Sequence, residues 1–345
     1  MATEAALYTG HMGIASSNST AMHLAMRAKP LQAQSNSHLL HLLRGNERMR
    51  RPDAAPDDAF SDNITIEATD GFLLGATLYL PRGPKTHAVL INSATAVPRK
   101  IYRGFASYLA TRGCAVLTYD YRGTGDSIPK KATSLRGFKT SMSEWAEKDV
   151  TAAVAWMRGR YGKMPLAFVG HSFGGQALGL IPNNTEVSRA LLVAAQAGTW
   201  RLMTPPENYR IYAMMKFIGA PLARVVGYAP GRIGLGLDLP KGVFLEWADW
   251  VTRDRYFFDD DTLRALVNFP QYRGDLRALS FSDDPWATRP AVEMLCAGFT
   301  AIKPDIDTIK PIEIGAGKIG HFGFFRPEHR DTLWRGAAEW LQMEN

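Results

Sequence analysis

A serine flanked by glycines is the most chemically suggestive feature of the sequence. The segment Gly170-His171-Ser172-Phe173-Gly174 lies between the apolar run "LAFV" and the small-residue segment "GGQALG". This order predicts that a strand turns abruptly into a helix at Ser172, where the backbone is strained and neighbouring side chains would clash. Glycines at 170, 174 and 175 would relieve the crowding. The hydroxyl would then stand at the head of a helix, whose unpaired N–H groups favour an oxyanion.

Other uses of such a glycine-rich turn fit the sequence poorly. A phosphate loop would end in Gly-Lys-Ser/Thr, and a dinucleotide fingerprint would keep a glycine where Ser172 stands. An aspartate at this position would suit a dehalogenase, but the residue is a serine. The G-x-S-x-G pattern also arises by chance, so a turn that merely carries a serine is the simpler alternative.

A serine hydroxyl attacks well only when a base removes its proton, so the histidines come next. Outside residues 1–55 the chain has four: His87, His171, His321 and His329. We expect His171 to point away from Ser172, His87 to open a strand, and His329 to be solvated at the start of the last helix. His321 lies in "GAGKIGHFGFF", a glycine-rich loop after the last predicted strand. From there an imidazole can reach over the sheet edge, so His321 is the predicted base.

A carboxylate is needed to fix the tautomer of the imidazole and to stabilise its charged form. The segment "LSFSDDPWAT" supplies two candidates directly after a predicted strand, Asp283 and Asp284. An Asp-Asp-Pro turn would explain both without chemistry. We prefer Asp284, the residue just before Pro285, and keep Asp283 as the alternative.

Two backbone N–H groups should stabilise the oxyanion of the attacked carbonyl. Phe173 N–H, directly after the serine, is the predicted first donor. The second is expected from the small-residue loop "NSATA" (92–96), with Ala94 and Thr95 both open.

Strand and helix signals alternate from about residue 62, which predicts a mostly parallel sheet covered by helices on both faces. A hairpin over 63–81 should turn at Asp70-Gly71. Further strands are predicted at 87–93, 114–123, 166–170, 189–195, 276–282 and 309–315. Helices are predicted at 101–113, at 143–162 with Ser143 as its cap, from "GGQALGLI", from "ATRPAVEMLCAGF" and at 330–342.

Residues 199–270 interrupt this alternation with a helical, aromatic-rich insertion. Its aromatic residues are Trp200, Tyr209, Tyr212, Phe217, Tyr228, Phe244, Trp247, Trp250, Tyr256, Phe257 and Phe258. They predict either additional core or a lid whose inner face lines an apolar pocket. The position after a strand's carboxyl end favours the lid. The predicted core is therefore 56–198 and 271–345, with a cap at 199–270.

Composition narrows the class of protein. The 345-residue chain is 46% hydrophobic with a net charge of +7, and it has no basic block interleaved with aromatics, so we expect no nucleic-acid partner. No apolar run is long enough for a membrane span. Two distant cysteines, Cys114 and Cys296, fit reduced thiols in the cytoplasm. Residues 1–55 are predicted to be a mostly disordered or extraneous leader, with an organelle transit peptide as the alternative.

With these motifs placed, the chain from about residue 62 onward resembles an α/β-hydrolase. The loop 92–96, "YDYRGTGDS" (119–127) and the insertion before the acid strand match as well. Among subgroups it is most similar to the serine aminopeptidase-like (S33) hydrolases and esterases. The resemblance implies an eight-stranded, mostly parallel sheet with a helical cap. The chain departs from the commoner pattern by carrying Asn92-Ser93-Ala94 where many members have His-Gly.

The expected activity is that of a metal-independent serine esterase without a cofactor, with a catalytic triad at a nucleophile elbow acting on a small acyl substrate with an apolar acyl or aryl part. A thioesterase, acyltransferase or peptidase would use the same residues. A peptidase that prefers free amino termini would need acidic groups facing the site, for which Glu207, Asp238, Glu246 and Asp249 are candidates. A non-catalytic binder of a small apolar ligand is the alternative from a different class. The oligomeric state is left open.

Overall fold

The computed structural model describes residues 59–343, and a single eight-stranded sheet organises them. The predicted leader, residues 1–55, lies outside the described residues. The strand order is β1-β2-β4-β3-β5-β6-β9-β10, in which β1 and β2 are antiparallel to their neighbours and the remaining pairs are parallel. The predicted α/β architecture with a mostly parallel sheet is confirmed.

The strands follow the predicted pattern closely. Their bounds are β1 Ala59–Glu67, β2 Leu73–Pro81, β3 His87–Asn92, β4 Cys114–Tyr119, β5 Leu166–His171, β6 Arg189–Val193, β9 Asp275–Phe281 and β10 Asp305–Ile309. Every residue of β4, β5 and β6 is buried, because helices cover both faces of a parallel sheet. β1 is an edge strand and is mostly exposed.

The helices pack on both faces of this sheet. They are α1 Arg103–Thr111, α2 Thr151–Tyr161, α3 Phe173–Gln176, α4 Glu207–Ala213, α5 Ala220–Val226, α6 Lys241–Thr252, α7 Arg289–Cys296 and α8 Arg335–Leu341. A helical turn at Met142–Glu144 and a π-helical turn at Trp145–Val150 lead into α2. No helix among the described residues is long and apolar enough to cross a bilayer.

Two sequence predictions about the last strand and a helix cap are wrong. The strand expected at 309–315 lies upstream as β10, because Pro311 lacks the N–H that a ladder needs and Pro311–Ile314 instead forms a 3-10 turn. Ser141, not Ser143, caps the helix that leads into α2. The side chains of Ser141 and Glu144 bond each other's backbone N–H groups in a capping box, and Ser143 bonds Glu246.

The helix after Ser172 is also shorter than its sequence suggested. α3 ends at Gln176, and one 3-10 turn, Ala177–Gly179, follows it. Between β6 and β9 the chain forms α4, α5, α6, several short helical turns and a two-residue ribbon, β7 Tyr228–Ala229 with β8 Leu239–Pro240. This segment is the helical insertion that the sequence indicated.

Candidate active site

The turn from β5 into α3 holds Ser172 in a strained conformation. Its backbone angles are φ 51° and ψ −118°, a positive φ that side chains rarely adopt. The glycines on either side allow close backbone packing. A Cβ at Gly170 would lie 2.4 Å from Gly175 Cα, and a Cβ at Gly174 would lie 2.2 Å from the carbonyl oxygen of Asn92. No other residue type fits these two positions, so the elbow geometry follows from the glycine pattern.

His321 and Asp284 form a buried hydrogen-bonded pair beside Ser172. His321 Nδ1 lies 2.7 Å from Asp284 Oδ2, and Asp284 Oδ1 accepts the backbone N–H groups of Trp286 and Ala287 at 2.9 and 3.1 Å. Burial alone would raise the pKa of Asp284, but His321 and these two N–H groups hold it below its usual value. A carboxylate only accepts hydrogen bonds, so Nδ1 carries the proton and Nε2 presents its lone pair.

Asp283, the alternative acid, has a different environment. Its two carboxylate oxygens accept the backbone N–H groups of Ile319 and Gly320, each at 2.9 Å. Gly320 has a positive φ of 59°, so the chain turns tightly just before His321. Asp283 therefore ties down the histidine-bearing loop through its backbone, whereas Asp284 contacts the imidazole itself.

A hydrogen-bond chain runs from the β3 loop through the elbow to His321. His171 Nε2 lies 2.8 Å from the backbone oxygen of His321, and His171 Nδ1 lies 2.9 Å from the Tyr102 hydroxyl. The Tyr102 hydroxyl in turn accepts Ala94 N–H at 2.8 Å. Because a carbonyl only accepts, Nε2–H must donate to it, and Tyr102 must donate to Nδ1. All four groups are buried, so every donor and acceptor role is fixed.

His171 stays neutral in this position. Burial and the neighbouring His321 lower the pKa of His171 to about 3, although the carbonyl of His321 and the carboxylate of Asp284 act in the opposite direction. The sequence placed His171 facing away from Ser172 but offered no role for it. His329, predicted to be solvated, is buried instead, and its ring packs near Gly323.

The loop after β3 leaves one of its two candidate amides open. Ala94 N–H is occupied by Tyr102, which disfavours it as an oxyanion donor. Within residues 59–343, Thr95 N–H and Phe173 N–H have no hydrogen-bond acceptor. The hydroxyl of Tyr121 also stabilises this loop, because it donates a hydrogen bond to the backbone oxygen of Ser93 at 3.0 Å. Thr95 and Phe173 are thus the available pair of donors.

Ser172 and His321 open into a common pocket with about 850 Å³ of space free of protein atoms, its mouth included. Both residues line this pocket, but Ser172 Oγ and His321 Nε2 are not hydrogen-bonded to each other, and neither has a partner in the described part of the chain. Just over half of the lining residues belong to the 199–270 segment, and most of those are aliphatic or methionine side chains, among them Met203, Ile211, Met214, Met215, Leu235 and Val251.

The expectation that cap aromatics line the pocket is only partly met. Trp247 and Tyr256 do line it. Of the others, Phe244, Trp250 and Phe257 are in the core and Tyr209 and Phe217 are exposed. The remaining four are partly buried: Trp200, Tyr212, Tyr228 and Phe258. Aromaticity by itself therefore did not indicate which residues face the pocket.

None of the four acidic residues considered for an amine-binding site lines the pocket. Glu207 pairs with Arg210 and accepts Trp286 Nε1–H at 2.6 Å. Because the Trp286 ring packs edge-on against His321 at 5.0 Å, Glu207 links α4 to the base. Asp238, Glu246 and Asp249 are each bonded to other groups of the protein.

Sequence reasoning missed Tyr102 and Trp286, and it considered Glu207 for a different role, the binding of an amine. Each acts by reaching across the fold: Tyr102 from the turn before α1, Trp286 from the loop after β9 and Glu207 from α4. A hint is present in the sequence only for Trp286, because it lies two positions after Asp284. No pattern within one segment could have paired them.

Comparisons with known proteins give the family and the fold. The model of the alpha/beta hydrolase family matches residues 88–330. An esterase from Exiguobacterium antarcticum is 15% identical with a TM-score of 0.52, covering 82% of this chain and 100% of its own. A hypothetical protein from Pseudomonas aeruginosa is 14% identical with a TM-score of 0.56, covering 82% and 93%. A Pyrococcus furiosus esterase is 14% identical with a TM-score of 0.52, covering 84% and 95%. No curated protein matches the sequence.

Replacing Gly174 by alanine should disrupt the elbow. The added Cβ would meet the Asn92 carbonyl oxygen at 2.2 Å, and we expect the free energy of unfolding to fall by about 3 kcal/mol. Gly159→Ala is the matched control, because it lies within α2 and nothing is within 4 Å of its added Cβ. That control should be neutral or stabilising by up to about 1 kcal/mol. Urea denaturation of the three proteins measures both, and equal stabilities would contradict the packing argument.

The neutral state of His171 should make stability depend on pH. Its folded pKa of about 3 is below its unfolded value, so the stability it contributes is complete above about pH 6.5 and is lost as the pH falls towards 3. Between pH 6 and 4 the wild type should lose about 1.4 kcal/mol per pH unit more than His171→Gln, which cannot bind that proton. Urea denaturation at several pH values gives the two slopes, and parallel slopes would refute a buried neutral imidazole.

Proposed function

Because the chain belongs to the alpha/beta hydrolase family, we propose that it is a serine hydrolase that cleaves a carboxylic ester through an acyl-enzyme on Ser172. One observation carries this proposal. The buried Asp284–His321 pair and the strained Ser172 open into the same largely apolar pocket. The family match does not resolve subgroups, and the serine aminopeptidase-like subgroup stays a prediction.

Proton transfer in the proposed reaction follows from the tautomer of His321. With Nδ1–H bonded to Asp284, Nε2 can take the proton of Ser172 Oγ as that oxygen attacks the ester carbonyl carbon. The resulting imidazolium is stabilised by the carboxylate. Nε2 then gives its proton to the leaving alcohol oxygen as the C–O bond breaks, which leaves the acyl group on Ser172. The same imidazole next activates water, which releases the carboxylic acid.

We assign stabilisation of the oxyanion to Phe173 N–H and Thr95 N–H. Both lie beside Ser172, and neither has an acceptor among residues 59–343. Two such donors aimed at the developing negative charge typically supply several kcal/mol of transition-state stabilisation, about 3 to 4 for each. Ala94 acts indirectly in this proposal, by holding the loop through Tyr102.

We propose that residues 199–270 act as a cap on a core made of 56–198 and 271–345. The methionine and aliphatic side chains of that segment form the pocket wall opposite Ser172. Methionine packs adaptably, which fits an acyl or aryl group of moderate size. The thiols of Cys114 and Cys296 are buried, which raises the pKa of each to about 12, and this fits inert thiols in a cytoplasmic protein.

The pocket favours an ester over a peptide with a free amino terminus. An ammonium group would need a carboxylate within reach, and no aspartate or glutamate lines the pocket. A thioesterase or acyltransferase would use the same site atoms. A binder without activity would have no use for a proton acceptor opposite Ser172, whereas here Asp284 orients His321 with Nε2 open.

The two adjacent aspartates give a sharp test of the proposed triad. Asp284→Asn should lower kcat for a short-chain p-nitrophenyl ester by about 10³- to 10⁴-fold, because an amide no longer favours the tautomer with Nε2 unprotonated. Asp283→Asn keeps one oxygen that can accept the loop N–H groups, so it should lower kcat by about tenfold or less. Steady-state kinetics on both variants measures the contrast.

A control and a contrary result define this test. Both variants should retain the wild-type circular dichroism spectrum, so that a loss of kcat is not a loss of fold. Equal losses in the two variants, or a larger loss for Asp283→Asn, would contradict the assignment of Asp284 as the acid.

A further inference from the structure

The carboxamide of Gln196 is an unsatisfied polar group on the pocket wall. The residue is only 5% exposed and lies three positions after β6, beside the space that Ser172 faces. Gln196 Oε1 has no hydrogen-bond donor, and no acceptor for Nε2 is found among residues 59–343. Buried polar groups nearly always have a partner, and leaving one unpaired is costly. A bound ligand would remove that cost.

Gln176, a second glutamine on the pocket wall, has a carboxamide that is hydrogen-bonded within the protein at both ends. Gln176 Nε2–H donates to the backbone oxygen of Gln196 at 2.8 Å, and Gln176 Oε1 accepts the Tyr256 hydroxyl at 3.2 Å. Gln176 is thus satisfied at both ends and fixes the main chain of Gln196. Gln176 also lies four residues after Ser172, and both glutamines line the pocket that Ser172 lines, so this bond fixes the main chain of Gln196 on the pocket wall.

The surroundings indicate a neutral group as the partner of this carboxamide. Among residues 59–343, Arg210 is the only lysine or arginine that lines the pocket, and Glu207 neutralises it through a hydrogen bond of 2.7 Å. The rest of the wall is mostly apolar. An ionised substrate group would be left without a countercharge there. The oxygen of a hydroxyl, keto or amide group would instead accept a hydrogen bond from Gln196 Nε2, which, unlike Oε1, is not a buried atom.

We propose that Gln196 is a specificity residue that binds a neutral hydrogen-bonding group carried on an otherwise apolar acyl chain. The assignment to the acyl chain rests on the proposed function, because the acyl group stays bonded to Ser172 Oγ through both steps and is the part that the pocket must hold. The substrate class is therefore an ester of a hydroxy-, oxo- or amido-acid. A simple alkanoyl ester would leave the carboxamide unpaired and be a poorer substrate.

Binding to the Ser172→Ala protein tests this proposal without relying on turnover. The ligands are a methyl alkanoate and a set of keto esters of the same chain length, each with its single keto group at a different position. Their binding is measured by isothermal titration calorimetry. The Kd of the alkanoate divided by the Kd of a keto ester gives the preference for that keto position. At one or two positions this ratio should be at least about tenfold larger with Gln196 than after Gln196→Met. Gln196→Leu serves as a second apolar variant if the methionine variant is unstable.

A matched control and the contrary results complete the design. Gln271→Leu removes an exposed glutamine whose side chain contacts only Val267 O, and it should leave every ratio unchanged. Ratios that do not change with Gln196→Met at any keto position, or no measurable binding of any keto ester, would overturn the proposal. Turnover by the wild type is assayed separately. A preference for keto esters without turnover contradicts the proposed esterase activity but supports the role of Gln196. Turnover without a preference for keto esters supports the esterase activity and contradicts the role of Gln196.

Discussion

The backbone contact between the elbow and the loop after β3 is the constraint on which the site depends. Gly174 lies so close to the Asn92 carbonyl oxygen that only hydrogen fits between them. This contact joins the elbow to the loop of Thr95, and Thr95 and Ser172 line the same pocket. It also holds the serine at a positive φ, a strain that the surrounding sheet must support. Stability and chemistry are therefore linked at one point of the fold.

Buried hydrogen bonds carry this local order to the rest of the site. The chain from Ala94 through Tyr102 and His171 reaches the main chain of His321, while Asp284 reaches its side chain. The imidazole is thus held from two directions. Low dielectric surroundings strengthen such hydrogen bonds and raise the free-energy cost of a donor or acceptor that is left unpaired. The same reasoning applies to Gln196. Among the described residues eight buried side-chain polar atoms lack a partner, and of these Gln196 Oε1 belongs to a residue that lines the pocket.

The sequence predicts what is local and periodic. The order of strands and helices follows from runs of residues. The strand ends at one sheet edge explain why Ser172 and His321 line one pocket, with Asp284 bonded to His321. The prediction failed where a contact spans the fold. Nothing near His171 in the sequence indicates its bonds to Tyr102 and to the His321 main chain, and Pro311 shifted the last strand by removing one N–H.

Labelling with a fluorophosphonate probe tests the central claim most directly, because the probe reacts with an activated serine without requiring the natural substrate. The wild type and Ser172→Ala are treated in parallel, and the adduct is mapped by mass spectrometry. We predict a single adduct on Ser172 that is absent from the variant. A folded wild type that forms no adduct, or an equal adduct on another residue in both proteins, would contradict the account of Ser172 as an activated nucleophile.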